Sequence, residues 1–171
     1  MYKNYLIDYV IRAPKNHPLS SCSWHMINLN TTNNNLITNQ KQIYNILLDI
    51  ISISGQYPKI KKAKKSISAF NVRKNLSTGT LTNLKNLQLQ KFLKFFIFSI
   101  IPTIPFKYNM KSLIDSTNFW ILNIGFNDLS SWHELKKASN TGLHIQFVIK
   151  QKAKYKDFLF FLSKYKLNFT K

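Results

Sequence analysis

Between Ser54 and Lys74 the chain reads SGQYPKIKKAKKSISAFNVRK, with six lysines, one arginine and no acid. Like charge at that density repels itself and works against ordered structure. Yet Ile60, Ile67, Phe70 and Val72 sit inside the stretch, and Gly55-Gln56-Tyr57-Pro58 opens it with turn residues. A chain orders such a segment where a counter-charge is at hand. The sequence itself hardly supplies one. Its acids are Asp8, Asp49, Asp115, Asp128, Glu134 and Asp157, against 25 lysines and arginines, for a net charge of +19. The basic residues are spread along the chain and not gathered in a tail. That pattern points to a folded body set against a large polyanion, either nucleic acid or an anionic membrane.

The length of 171 residues suits one domain, and 44% apolar content provides a core. We expect an N-terminal helix and loop extension over 1–22 and an α+β core over 23–169. A lone cysteine, Cys22, rules out an internal disulfide framework. Met1 to Arg12 contains Asp8 and lacks the apolar run of a secretory signal and the Arg-rich, acid-free look of a transit peptide. The apolar run Phe92–Phe106 is broken by Lys94, Pro102 and Pro105 and is shorter than the roughly 20 residues a bilayer span needs. The basic residues are almost all lysine; asparagine, isoleucine, phenylalanine and tyrosine abound, while only four glycines occur. These are the amino acids of A+T-rich codons. They suggest synthesis inside an A+T-rich organelle, with the mitochondrial matrix first, and another such organelle or a bacterial cytoplasm as alternatives.

No catalytic set is visible. His17, His25, His133 and His144 form no metal-ligand spacing with Cys22 or with an acid, and no close carboxylate pair or glycine-rich phosphate loop exists. We therefore expect no enzyme, no metal and no cofactor. A basic protein lying on a membrane surface is the alternative class, although the amphipathic stripes suit a core better.

Periodicity gives the elements. Tyr2, Tyr5, Leu6 and Tyr9 fall at helical spacing. Trp24–Asn30 alternates as a strand, and Thr31–Asn39 reads as a loop. Ile43, Ile46, Leu47, Ile50 and Ile51 make a helical stripe, ended by Gly55 as a C-terminal glycine. Phe70–Arg73 and Thr80–Leu84 read as two strands joined by Asn75–Gly79. Asn86–Ile101 reads as a buried helix stopped by Pro102 and Pro105. Phe119–Phe126 and Leu143–Ile149 are β-like, and Tyr155 to Tyr165 carries a last helical stripe. The class is α+β, an antiparallel sheet with helices on one face.

The lysine-rich stretch resembles the signature of the ribosomal large-subunit protein L-five family. Gly55, Gln56, Pro58, Lys62, Ala63, Lys64, Lys65, Ser66, Ile67, Phe70, Val72 and Arg73 fit it in order. The match runs on through Gly79, Leu84, Lys85 and Phe92 to Pro102. Upstream, INLN ending at Asn30 resembles the family's Ile-Thr-Leu-Asn strand. Downstream, Gly125, the WHEL run Trp132–Leu135 and Gly142-Leu143 fall on family positions, so all four glycines match. Departures are Thr31-Thr32-Asn33-Asn34 for a glycine loop, Asn83-Leu84-Lys85-Asn86 for Thr-Leu-Arg-Gly, and Thr103–Lys107 for an arginine-rich run.

The resemblance implies a curved antiparallel sheet backed by helices, seated in the central protuberance of the large subunit. Its implied partners are 5S RNA, a large-subunit rRNA helix, neighbouring proteins, the P-site tRNA and the small-subunit head. Lys59, Lys61, Lys62, Lys64 and Lys65 find few carboxylates within the chain, so phosphate is their natural counter-charge. Asn30, Gln56 and Asn83 match family positions used on RNA and are expected to converge on one sheet face, with Lys85 beside them. Arg73–Gly79 is expected to protrude toward the P-site tRNA. Arg73 and Lys74 would attract phosphate, Leu76, Ser77 and Thr78 would shape the tip, and Asn75 and Gly79 would allow positive φ.

Overall fold

The computed structural model describes residues 22–103, 112–115, 119–127, 129, 132 and 141–151. The two helical stripes expected near the chain ends, and the 103–118 segment beyond its described residues, lie outside that set.

Six strands form one sheet: β1 (Cys22–Thr32), β2 (Lys59–Lys62), β3 (Ser77–Leu84), β4 (Ser112–Asp115), β5 (Phe119–Phe126) and β6 (Gly142–Gln151). Their order is β2-β3-β1-β6-β5-β4, and each neighbouring pair is antiparallel. Three helices are interleaved: α1 (Asn35–Thr38), α2 (Gln42–Ser54) and α3 (Asn86–Phe95). The last continues through a π-helical turn, Phe96–Ile100, into a tight turn ending at Thr103. The expected α+β architecture with helices on one face is thus the observed one.

Alternation fixes which face is covered. On β1, Ile27, Leu29 and Thr31 are buried, while Asn28 and Asn30 point the other way. On β3, Thr80, Thr82 and Leu84 are buried; on β6, Leu143, Ile145, Phe147 and Ile149 are. The helices cover this side. Ile43, Ile46, Leu47, Ile50 and Ile53 of α2 join Leu89, Phe92 and Leu93 of α3 in the same core. Phe96 stands at its centre, with rings of Phe92, Phe126, Trp132 and Phe147 all within 6.5 Å of its own. Trp132 of the WHEL run is 1% exposed, so that motif's first residue belongs to the core.

Gly55 closes α2 with φ of 64°, as its position implied, and its N–H bonds the Ile51 carbonyl at 2.8 Å. Elsewhere asparagine takes the left-handed positions: Asn71, Asn75 and Asn86 have φ of 54°, 68° and 50°. Its short side chain tolerates that region better than other residues with a Cβ.

Three expectations are corrected. The loop read at Thr31–Asn39 is strand through Thr32 and then the short helix α1. Phe70–Arg73 is no strand. Ile67 and Val72 form a single bridge around a tight turn at Ser68–Phe70, and the strand that pairs with β3 is Lys59–Lys62. Gly79 is no turn residue either. It lies inside β3 without positive φ, and a Cβ there would collide with the Thr31 carbonyl oxygen and stand 3.2 Å from the Thr32 Cα. Glycine is needed for the close approach of β1, not for a left-handed turn.

Candidate nucleic-acid interface

The face of the sheet away from the helices carries a polar part over β2, β3 and the middle of β1 and β6, and an apolar part at Met26, Val148 and Ile121. Register places Asn83 opposite Asn28, Gln146 opposite Asn28 on the other side, and Asn123 opposite Gln146. The next row toward the β2–β3 turn holds Lys59, Leu81, Asn30, His144 and Gly125. Lys61, opposite Gly79, follows. Five of the six strands contain no acidic residue; Asp115 on β4 is the one acid in strand sequence. Among the described residues Asp49 is buried on α2, so it offers this face no charge. Among the described residues, the charged side chains on β2, β3 and β1 other than His25 are lysines.

Of the expected residues, the sheet brings Asn30, Asn83, Lys59 and Lys61 into adjacent rows. Asn30 and Asn83 share the open face, as anticipated. Lys61 joins them: its Nζ donates to Asn30 Oδ1 at 3.1 Å. Lys59 and Lys62 are exposed on β2, Lys64 and Lys65 on the loop beyond it, and Lys85 at the extended residue before α3. Gln56 is not on the sheet. It lies half-buried in the connection from α2 to β2, its N–H bonded to Ser54 Oγ at 3.1 Å, and its Oε1 is shielded from solvent without a hydrogen-bond partner.

The protruding element is the β2–β3 loop, and its bounds differ from those expected. Ser77, Thr78 and Gly79 are strand residues, so they do not form a tip. The arms are pinned where Ala63 N–H donates to the Leu76 carbonyl at 2.9 Å and Asn75 N–H to the Ala63 carbonyl at 3.0 Å. Beyond that clasp the chain makes an excursion from Lys64 to Lys74. It is closed by the paired Ile67 and Val72 backbones and by Lys74 N–H donating to Ser66 Oγ at 2.9 Å. Backbone hydrogen bonds of the hairpin arms tie the lysine-rich stretch together. Phe70, 69% exposed, stands at its apex.

Sequence reading did not single out Asn28, Asn123, His144 and Gln146 as site residues. Their signal was the polar half of each strand's alternation; what placed them beside Asn30 and Asn83 was strand register.

Among the described residues no group of three or more histidines, cysteines or acids is placed to hold a metal, and no helix is long and apolar enough to cross a membrane.

Fold and face together define an α+β protein whose antiparallel sheet is helix-covered on one side and bears amides and lysines on the other. The expected resemblance is borne out by comparison: the chain is similar to large ribosomal subunit protein uL5. It is 32% identical to that of Polaromonas naphthalenivorans over 78 residues, 46% of this chain and 44% of the relative. It is 27% identical to that of Verminephrobacter eiseniae over 105 residues, 61% and 59% of the two chains. For Moorella thermoacetica the figures are 38% over 66 residues, 39% and 37%. The chain spans about half the length of the curated relatives that it matches. No family model matches.

Proposed function

We propose that the chain is a structural protein of the large ribosomal subunit that holds rRNA on the open face of its sheet and performs no catalysis. The observation that carries this reading is a lysine-bearing, amide-lined sheet face in a chain similar to uL5. Phosphate supplies the counter-charge that six acids do not. On this reading 5S RNA and a large-subunit rRNA helix of the central protuberance lie against Asn30, Asn83, Lys59, Lys61, Lys62 and Lys85. Gln56 would contribute from the connection beside β2. The 64–74 excursion, with Arg73 and Lys74 at its base, reaches the P-site tRNA, and neighbouring proteins and the small-subunit head complete the surroundings. A mitochondrial or other organellar ribosome rests on the A+T-rich codon bias alone; the relatives named above are bacterial.

Gradient sedimentation of a lysate tests the proposal. Co-migration with large subunits at moderate salt, and release with the rRNA-bound proteins at high salt, are expected. Recovery only in light fractions, or with liposomes, overturns it.

A further inference from the structure

Strand β2 forms one margin of the sheet, and among the described residues no strand lies beyond it. All four of its residues are exposed. The hydrogen bonds of the hairpin show which of them turn their backbone outward. Ala63 N–H donates to the Leu76 carbonyl at 2.9 Å, and the Ala63 carbonyl accepts from Asn75 N–H at 3.0 Å. The Lys61 carbonyl accepts from Thr78 Oγ1 at 3.3 Å. Ala63 and Lys61 thus face the β3 arm. Successive residues of a strand point their backbone groups to opposite sides, so Ile60 and Lys62 present theirs to the margin. N–H donors and carbonyl acceptors stand there in alternation.

The side chains of β2 divide between the two faces. Lys59 and Lys61, across from Leu81 and Gly79, belong to the open face. Ile60, across from the buried Thr80, turns to the helix-covered side, and Lys62 follows it by alternation. Ile60 is 43% exposed, so an apolar side chain at the rim of the core is left partly open to water.

A ligand that matches this margin offers acceptors and donors at strand spacing, an apolar side chain for Ile60 and negative charge for the lysines. A phosphodiester chain supplies charge and acceptors, but neither the alternating donors nor the apolar group. A polypeptide strand supplies all four. Lysine on an edge deters strands in general. Opposite charges across a strand pair attract, so a strand carrying acids is the exception. We propose that β2 takes up an extended, acid-bearing segment of another protein as an added antiparallel strand. Its acids stand across from Lys59, Lys61 and Lys62, and an apolar residue stands across from Ile60. This goes beyond the RNA reading, because a strand added at the margin leaves the open face of the sheet uncovered.

The test uses the full chain and a fluorescein-labelled, end-capped peptide built on Glu-Glu-Val-Glu between threonines, read by anisotropy at about 0.15 M salt. The peptide should bind. N-methylation of its valine and its first glutamate removes the two N–H groups aimed at β2 and leaves the charge unchanged. It should cost about tenfold or more, as expected for two hydrogen bonds. N-methylation of the other two glutamates, whose N–H groups point away, should be tolerated. In the protein, Ile60→Pro removes an outward N–H at an edge position where proline is accepted. It should lose the peptide while keeping the thermal midpoint and the affinity for single-stranded RNA. Lys62→Glu should also lose the peptide, and a peptide with lysine in place of the first glutamate should restore binding. Equal binding of the methylated and unmethylated peptides reduces the contact to charge and overturns strand addition. A loss of RNA affinity in Ile60→Pro as large as its loss of peptide gives the margin to RNA and overturns it as well. Failure of the peptide to bind wild type overturns the proposal and leaves the ribosomal reading standing.

Discussion

The hydroxyls of Thr31 and Thr80 lie 2.8 Å apart inside the core, on residues directly opposed across β1 and β3. Both side chains are buried, so one hydroxyl donates to the other away from water. Replacing Thr80 by valine keeps the shape and strands the Thr31 hydroxyl. The expected loss is about 1–3 kcal/mol, and Thr31→Val added to it should restore most of that. A double-mutant cycle by urea unfolding reads the coupling directly. Two additive losses would show that the hydroxyls do not depend on each other.

Gly79 and Gly55 should respond to alanine for different reasons. At Gly55 the new methyl meets open space, and only the φ of 64° resists it, at about 1–2 kcal/mol. Gly55→Asn should recover part of that. At Gly79 the methyl meets the β1 backbone, which cannot swing aside as a side chain would. Gly79→Ala should cost about 3 kcal/mol, the upper part of the overpacking range, and asparagine should not rescue it. Thermal melts of the five proteins, wild type included, decide whether the order holds.

Phe96→Ala should be among the most damaging core substitutions, at about 3–5 kcal/mol. The ring touches the faces of a helix and two strands through Phe92, Phe126 and Phe147, and it is 1% exposed. A midpoint in urea close to that of wild type would remove it from the centre of the core.

RNA affinity should fall steeply with salt. Each lysine that neutralises a phosphate contributes about 0.7 to the slope on single strands and about 0.9 on B-form DNA. Replacing Lys61, Lys62, Lys64 and Lys65 by alanine should flatten the slope by the sum of those that make contact. A slope equal to wild type would place the phosphates elsewhere on the molecule.

The 64–74 excursion can be trimmed without disturbing the sheet, because the clasp at Ala63, Asn75 and Leu76 lies below it. Replacing Ser68, Ala69, Phe70 and Asn71 by two glycines should leave subunit assembly intact and shorten tRNA residence in the P site. Deleting Ser77 and Thr78 instead removes paired residues of β3 and should impair folding. Loss of assembly in the trimmed variant would assign the excursion to the large subunit's own architecture.

Helix α2 and the strands β5 and β6 were legible because each buries one face, and burial writes a period of 3.6 or 2 into the sequence. Strand β2 was not. All four of its residues are exposed, with one apolar side chain among three lysines, so no period survives. Phe70 and Val72 alternate with polar neighbours as a strand would, yet the turn at Ser68–Phe70 uses that alternation for a single bridge. Gly79 signalled flexibility by residue type, whereas its actual role depends on how close β1 comes, a distance no local pattern encodes. The amide row is the extreme case. Asn28 and Gln146 are 118 positions apart, and only the pairing of β1 with β6 reveals them as neighbours.

The position of β2 at the margin of the sheet also bears on the behaviour of the free protein. A strand there leaves one row of backbone donors and acceptors open to any other strand. Here the open row runs beneath Lys59, Lys61 and Lys62. A second copy approaching to continue the sheet would bring its own three lysines against these, in a chain with few carboxylates to soften the encounter. The same charge thus works against molecules adding to one another along that margin, so the free protein resists self-stacking at this strand.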